Sequence, residues 1–159
     1  MFTSSFDHPF GDYALALYSR SEVAQCCLQW QDELGVDVNL LLWASWLDSQ
    51  GIVFQESVWL AGCARVKRLR EWGIKPLRSI RRAVKPYDKL YGLMKRIELW
   101  AESIAMRRLY RLAQSNSLTV LQQGDQLDTG YCVYYLESLN AGDRLSVWKQ
   151  WVELKGRMR

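Results

Sequence analysis

With 159 residues, 49% of them hydrophobic and 24% charged, the chain has the composition of a globular domain with a real core, not of a disordered or fibrous one. No apolar run reaches the roughly 18–20 residues needed to cross a bilayer, and three prolines and ten glycines leave little material for long linkers. The net charge of +4 conceals a strong internal contrast: residues 65–111 hold 15 Lys and Arg against 4 Asp and Glu, whereas residues 1–64 hold one basic residue, Arg20, against eight acidic ones.

The first residues, MFTSSFDHPF, lack a basic leader and an apolar signal core, so export is not expected and the cytoplasm is the expected location. Pro9 stands where a first helical turn tolerates it, and Phe10, Tyr13, Ala14, Leu17 and Tyr18 follow at helical spacing. Ser19 and Glu22 have the spacing of a capping box, which predicts a second helix running to Leu34. Gly35 supplies a left-handed stop, with Val36 placed to fold back on Trp30.

Asp37 is a good N-cap for the next helix, to about Gln50, with Val36 and Leu41 spaced as a hydrophobic staple. Leu40, Leu41, Leu42, Trp43, Trp46 and Leu47 make it apolar almost all round, so it is expected to be the most buried element. Gly51 ends it, and Gly73 carries the same stop signal for a further helix, roughly Glu56–Trp72. Pro76 opens a short helix with Leu77, Ile80 and Val84 on one face and Arg78, Arg81, Arg82 and Lys85 on the other.

Pro86 interrupts that helix. A long helix from about Tyr87 to Gln114 follows, with Leu90, Met94, Ile97, Ala101 and Ile104 as its expected apolar stripe. The stretch 115–128 is the least regular connection. Thr129 is placed to cap a helix to Leu139, and Asp143 a last one to about Lys155. Val133, Tyr134 and Tyr135 have strand-favouring composition but are too few to override the helical context. The expectation is an all-α single domain, 1–159, of six to eight helices of unequal length, not a simple up-down bundle.

The run from Cys27 to Leu42, CLQWQDELGVDVNLLL, ending in Trp46 and Leu47, resembles a family of short, uncharacterised proteobacterial proteins catalogued only as a domain of unknown function. The segment from Phe10 to Tyr18 is similar to the family's N-terminal pattern. The likeness covers roughly residues 6–110, with Trp30 standing where the pattern leads to Leu. The resemblance implies a bacterial, helical, cytoplasmic protein, and it brings no activity, ligand or catalytic residue with it.

Little in the sequence spells out a reaction. Asp32, Glu33 and Asp37 form an acidic cluster of the kind that can hold Mg²⁺, but Gly35 breaks the helix between them, and Asp125 and Asp128, the nearest second cluster, fall in the irregular stretch. The four cysteines, Cys26, Cys27, Cys63 and Cys132, form no C-x-x-C pair and read as small buried apolar residues. His8 is the single histidine and reads as a surface or capping residue; no phosphate-binding glycine loop occurs. No cofactor and no metal are expected. The eight tryptophans read as core fillers, except that Trp72 and Trp100 lie inside the basic region.

That basic region is the functional clue. Arg65 and Arg68 share a helix face; Arg78, Arg81, Arg82, Lys85 and Lys89 line up over the following turns; Arg107 and Arg111 lie one helical turn apart with Arg108 beside them. Apart from Glu71 near Lys67, Arg68 and Lys75, few acidic residues stand three or four positions away to neutralise them. Ten of the 15 are arginines, whose forked guanidinium suits carboxylate and phosphate. The leading reading is a non-enzymatic adaptor that binds an acidic protein surface through these residues, turned outward and unpaired. RNA or DNA binding by the same face is the alternative, and an enzyme or small-ligand binder with an acidic site near Asp32 and Asp37 is the third reading. Internal pairing of the basic residues is the competing account of the charge.

Overall fold

The computed structural model describes residues 6–53, 56–116, 119–120, 130–139, 151 and 153. Among these the fold is all-α: helices α1 (Pro9–Tyr18), α2 (Ser21–Glu33), α3 (Val38–Gln50), α4 (Glu56–Leu69), α5 (Lys75–Ala83), α6 (Asp88–Asn116) and α7 (Tyr131–Ser138). They range from 8 to 29 residues. The only extended pairing among the described residues is a two-residue antiparallel ladder of β1 (Ile52–Val53) with β2 (Thr119–Val120). The described residues group into two compact units, each drawn from two stretches of sequence: residues up to Gly11 with 56–116, and Asp12–Val53 with 119 onward.

In the second of these units, α3 is the central element. Every residue from Leu40 to Leu47 is buried, as its all-round apolar sequence requires. Asp37 caps the helix, its Oδ1 accepting from the backbone N–H of Asn39 at 3.0 Å and of Leu40 at 3.3 Å. Gly51 closes it in the left-handed region at φ 60°. Gly35, at φ 70°, turns the chain after α2, where the Val36 N–H donates to the Trp30 carbonyl at 3.2 Å. The start of α2 departs from expectation. Arg20, not Ser19, is its N-cap, and the Ser19 hydroxyl donates backward to the Ala16 carbonyl at 2.9 Å, so no capping box forms.

Helix α7 packs on α3, and its N-terminus is capped from a distance. Asp48 Oδ1 accepts from the Tyr131 N–H at 2.7 Å and Oδ2 from the Cys132 N–H at 3.1 Å. The Tyr135 hydroxyl accepts from the Asp37 N–H at 2.7 Å, which ties the start of α3 to the same helix. Thr129 as a cap and the start of the helix expected from Asp143 lie outside the described residues; Trp151 and Glu153, within its expected span, are helical.

The other unit holds α4, α5 and α6. Between α4 and α5 the sequence predicts a glycine stop at Gly73, and the structure has none. Residues Arg70–Ile74 form one π-helical turn that runs straight into α5, and the Lys75 N–H reaches back to the Arg70 carbonyl. A proline inside an α-helix collides with the carbonyl four residues back. The widened turn just before Pro76 is the local device that lets the helical path continue through it.

Two faces in this unit are also rotated from expectation. On α6 the buried residues include Ala101, Ala105, Leu109, Leu112 and Ala113, whereas Leu90 of the predicted stripe is exposed and Met94, Ile97 and Ile104 are half-buried. On α5, Ile80 is exposed and no residue is fully buried, and the helix reaches α6 through Arg78 and Arg81 of its basic side. His8 is a capping histidine, its Nδ1 accepting from the Gly11 N–H at 2.8 Å, but it is buried and stacked on Tyr110 at 4.8 Å instead of lying at the surface.

Candidate functional site

The ten basic residues singled out from sequence divide into three groups. Arg78 and Arg81, one turn apart on α5, are not unpaired. Arg78 Nε donates to Glu98 Oε1 at 2.9 Å and its Nη2 to Glu102 Oε1 at 3.1 Å. Arg81 Nε donates to Glu98 Oε2 at 2.5 Å, and its Nη1 to the Tyr91 hydroxyl at 3.2 Å. The Arg81 guanidinium also lies 5.6 Å from the centroid of the Tyr91 ring. Their side chains are only 25% and 22% exposed. The expectation of outward, unpaired guanidinium groups is therefore corrected at these two positions.

Glu98 is the anchor of this cluster. It is buried, and burial alone would push its carboxyl up; the hydrogen bonds from Arg78 and Arg81 and their charges outweigh that and hold it below the ordinary carboxylate value. One carboxylate thus binds α5 to α6 through two arginines. Sequence spacing could not reveal this, because the partners are 17 and 20 residues apart and on different helices. Glu98, Glu102 and Tyr91 are the residues that sequence reading missed. The available signal was that Glu98 and Glu102, at i and i+4, lie on one side of a helix otherwise short of acids.

Arg107 is half-buried and forms a group of its own. The remaining seven residues, Arg65, Arg68, Arg82, Lys85, Lys89, Arg108 and Arg111, are exposed, and none makes an ion pair among the described residues. Two helices bring part of this set together. Arg65, Val66 and Leu69 of α4 and Ala105, Arg108 and Leu109 of α6 line one small cleft, so Arg65 and Arg108 stand at its rim over an apolar floor. Arg68 and Arg111 lie one turn further along the same helices, on the exposed side. The cleft offers about 10 Å³, room for no more than about one water molecule, so it is a notch in a surface and not a small-molecule pocket.

Tryptophan placement follows the same division. Trp30, Trp43, Trp46, Trp59 and Trp151 are buried, whereas Trp72 on the π turn is 87% exposed and Trp100 on α6 is 46% exposed. The two tryptophans of the basic region are the exposed ones among those described. Tryptophan is among the residue types that anchor interfaces.

The acidic cluster reads differently in space. Asp32 and Glu33 are exposed, Glu33 accepting from the Gln29 amide, and the Asp37 carboxylate caps α3. Among the described residues no group of three His, Cys, Asp or Glu side chains is placed to hold a metal ion. Burial pushes the Cys26 thiol up to about 11 and, together with the neighbouring Cys26, the Cys27 thiol up to about 12, which keeps both protonated at neutral pH. Among the described residues no helix is long and apolar enough to cross a membrane.

The described residues define an all-α protein with helices of unequal length. Its residues 10–109 match the family described as Protein of unknown function (DUF2390), and the chain belongs to that family. No curated protein and no solved structure matches the chain.

Proposed function

We propose that the chain is a non-enzymatic helical adaptor that holds an acidic protein surface through the arginines around the α4–α6 cleft. Arg65, Arg68, Arg108 and Arg111 supply forked contacts to carboxylates, and Arg82, Lys85 and Lys89 add longer-range attraction. The observation that carries this reading is the convergence of Arg65 and Arg108 from two helices onto one apolar notch, both exposed and without an ion pair among the described residues. Placing like charges together without a counter-charge costs the fold stability, and an external carboxylate removes that cost. The exposure of Trp72 and Trp100 favours a protein partner, since Trp and Arg are the residue types that dominate protein interfaces. The same aromatics can stack bases, which keeps RNA or DNA as the second reading.

Capture from native lysate, with and without nuclease, tests the proposal. The adaptor reading expects a nuclease-resistant partner that the full chain retains and that is lost when Arg65, Arg68, Arg108 and Arg111 are changed to Glu. A nuclease-sensitive partner whose affinity falls with salt, with a slope of roughly −0.7 to −0.9 per neutralised phosphate, would favour nucleic acid. Capture unaffected by the four reversals would remove this surface from the account.

A further inference from the structure

Helix α6 carries a second apolar face distinct from the one it buries. Leu90, Leu93, Ile97, Trp100 and Ile104 recur at alternating spacings of three and four, the period of a coiled-coil seam. The buried face of α6 follows another stripe, through Ala101, Ala105, Leu109 and Leu112. Along the seam, Leu90 and Leu93 are each 47% exposed, Trp100 is nearly as open, and Ile97 and Ile104 are half-buried. At a rise of about 1.5 Å per residue the seam runs for roughly 20 Å, a length that another helix can follow.

Charge indicates what could lie on it. Arg111 lies one heptad beyond Ile104 on the same side of the helix, and the exposed Lys89 and Arg108 flank the seam. The three carboxylates of α6, Asp88, Glu98 and Glu102, fall on the other side of the helix by its 100° step, and Glu98 and Glu102 hold the arginines of α5. A second copy of this seam would oppose basic residues to basic residues. A helix whose apolar stripe is flanked by Asp and Glu would cover the leucines and neutralise the rim together.

We propose that this face of α6 docks an acidic amphipathic helix of a partner protein, an inference that rests on the acidic-partner reading and adds the shape of the ligand. The test titrates the full chain into three fluorescein-labelled synthetic peptides of roughly three heptads each. One has Leu at the seam positions and Glu at the flanks, the second has Lys at the flanks, and the third keeps the Glu residues but has Ser in place of Leu. Anisotropy is expected to show the Leu/Glu peptide binding at least about tenfold more tightly than either of the others. Leu93→Gln with Trp100→Gln is expected to remove that advantage while the circular dichroism spectrum stays unchanged.

Equal binding of the Leu/Glu and Ser/Glu peptides would overturn the helical ligand and leave the acidic-partner reading standing. Tight binding of the Leu/Glu peptide that survives Arg65→Glu with Arg108→Glu would do the reverse, supporting the seam and removing the arginine cleft. A preference for the Lys-flanked peptide, or a dimer dispersed by Leu93→Gln, would overturn the acidic ligand outright. The wild-type comparison of peptides decides the matter even where a substituted chain fails to fold.

Discussion

Arg78 and Glu98, twenty residues apart on adjacent helices, meet at 2.9 Å, and Glu98 spends its second oxygen on Arg81. A short basic helix with no fully buried residue is thus tied to its neighbour by charge, and two of its three arginines, Arg78 and Arg81, serve the fold.

Glu98→Gln should therefore destabilise the protein by roughly 2–3 kcal/mol, since it strips the half-buried Arg81 guanidinium of its counter-charge and leaves Arg78 with Glu102 alone. Urea unfolding would show a lower midpoint at an unchanged slope. The sign of the pH dependence follows from the lowered Glu98 pKa. The stabilisation is complete above the unfolded carboxylate value of about 4.3 and is lost as pH falls through the lower folded value, so the gap between wild type and E98Q should narrow on acidification below roughly pH 4. A gap that is constant or widens in acid would contradict the assignment.

Asp48→Ala should cost about 1–2 kcal/mol through the loss of the α7 cap. Gly130→Ala should act on the same contact, because a Cβ there would stand 2.8 Å from Asp48 Oδ2 and 2.9 Å from its Cγ. Combining the two substitutions should cost less than the sum of the separate effects, since each disturbs one interaction. Thermal melts of the four chains would check this, and strict additivity would argue against a shared cap.

Cys26 and Cys27 should resist alkylation in the native state, because burial both hides them and keeps the thiolate scarce near neutral pH. Cys63, half-buried on α4, should be modified first among the described cysteines. Mass spectrometry after timed iodoacetamide treatment, with denatured protein as the control, would read the order. Early labelling of Cys26 or Cys27 would contradict the packing of α2.

Signals whose chemistry is local are legible in the sequence at some positions, although the Ser19–Glu22 spacing yields no capping box. Asp37 caps α3, and Gly35 and Gly51 adopt the left-handed conformation because a cap or a stop depends on residues a few positions away. Gly73 carries the same signal and fails, since a π turn offers the chain another way past Pro76. The helical period of α6 was legible, but which of its two apolar stripes would be buried was not, because neighbouring helices decide that. The basic surface shows the same limit. Charge counting identified the region, yet only tertiary structure separates Arg78 and Arg81, held by Glu98, from Arg65 and Arg108 at an open notch. The cap of α7 is likewise invisible locally, with Asp48 more than eighty residues away.

The most direct test of the division between structural and binding arginines is the affinity of the full chain for poly-L-glutamate at low salt, measured for two double variants. Arg65→Gln with Arg108→Gln should weaken binding by about tenfold or more while shifting stability by no more than roughly 0.5 kcal/mol. Arg78→Gln with Arg81→Gln should lower stability and change the affinity of the folded protein by less than about twofold. The reverse pattern, binding lost with the α5 pair and kept without the α4–α6 pair, would contradict the account.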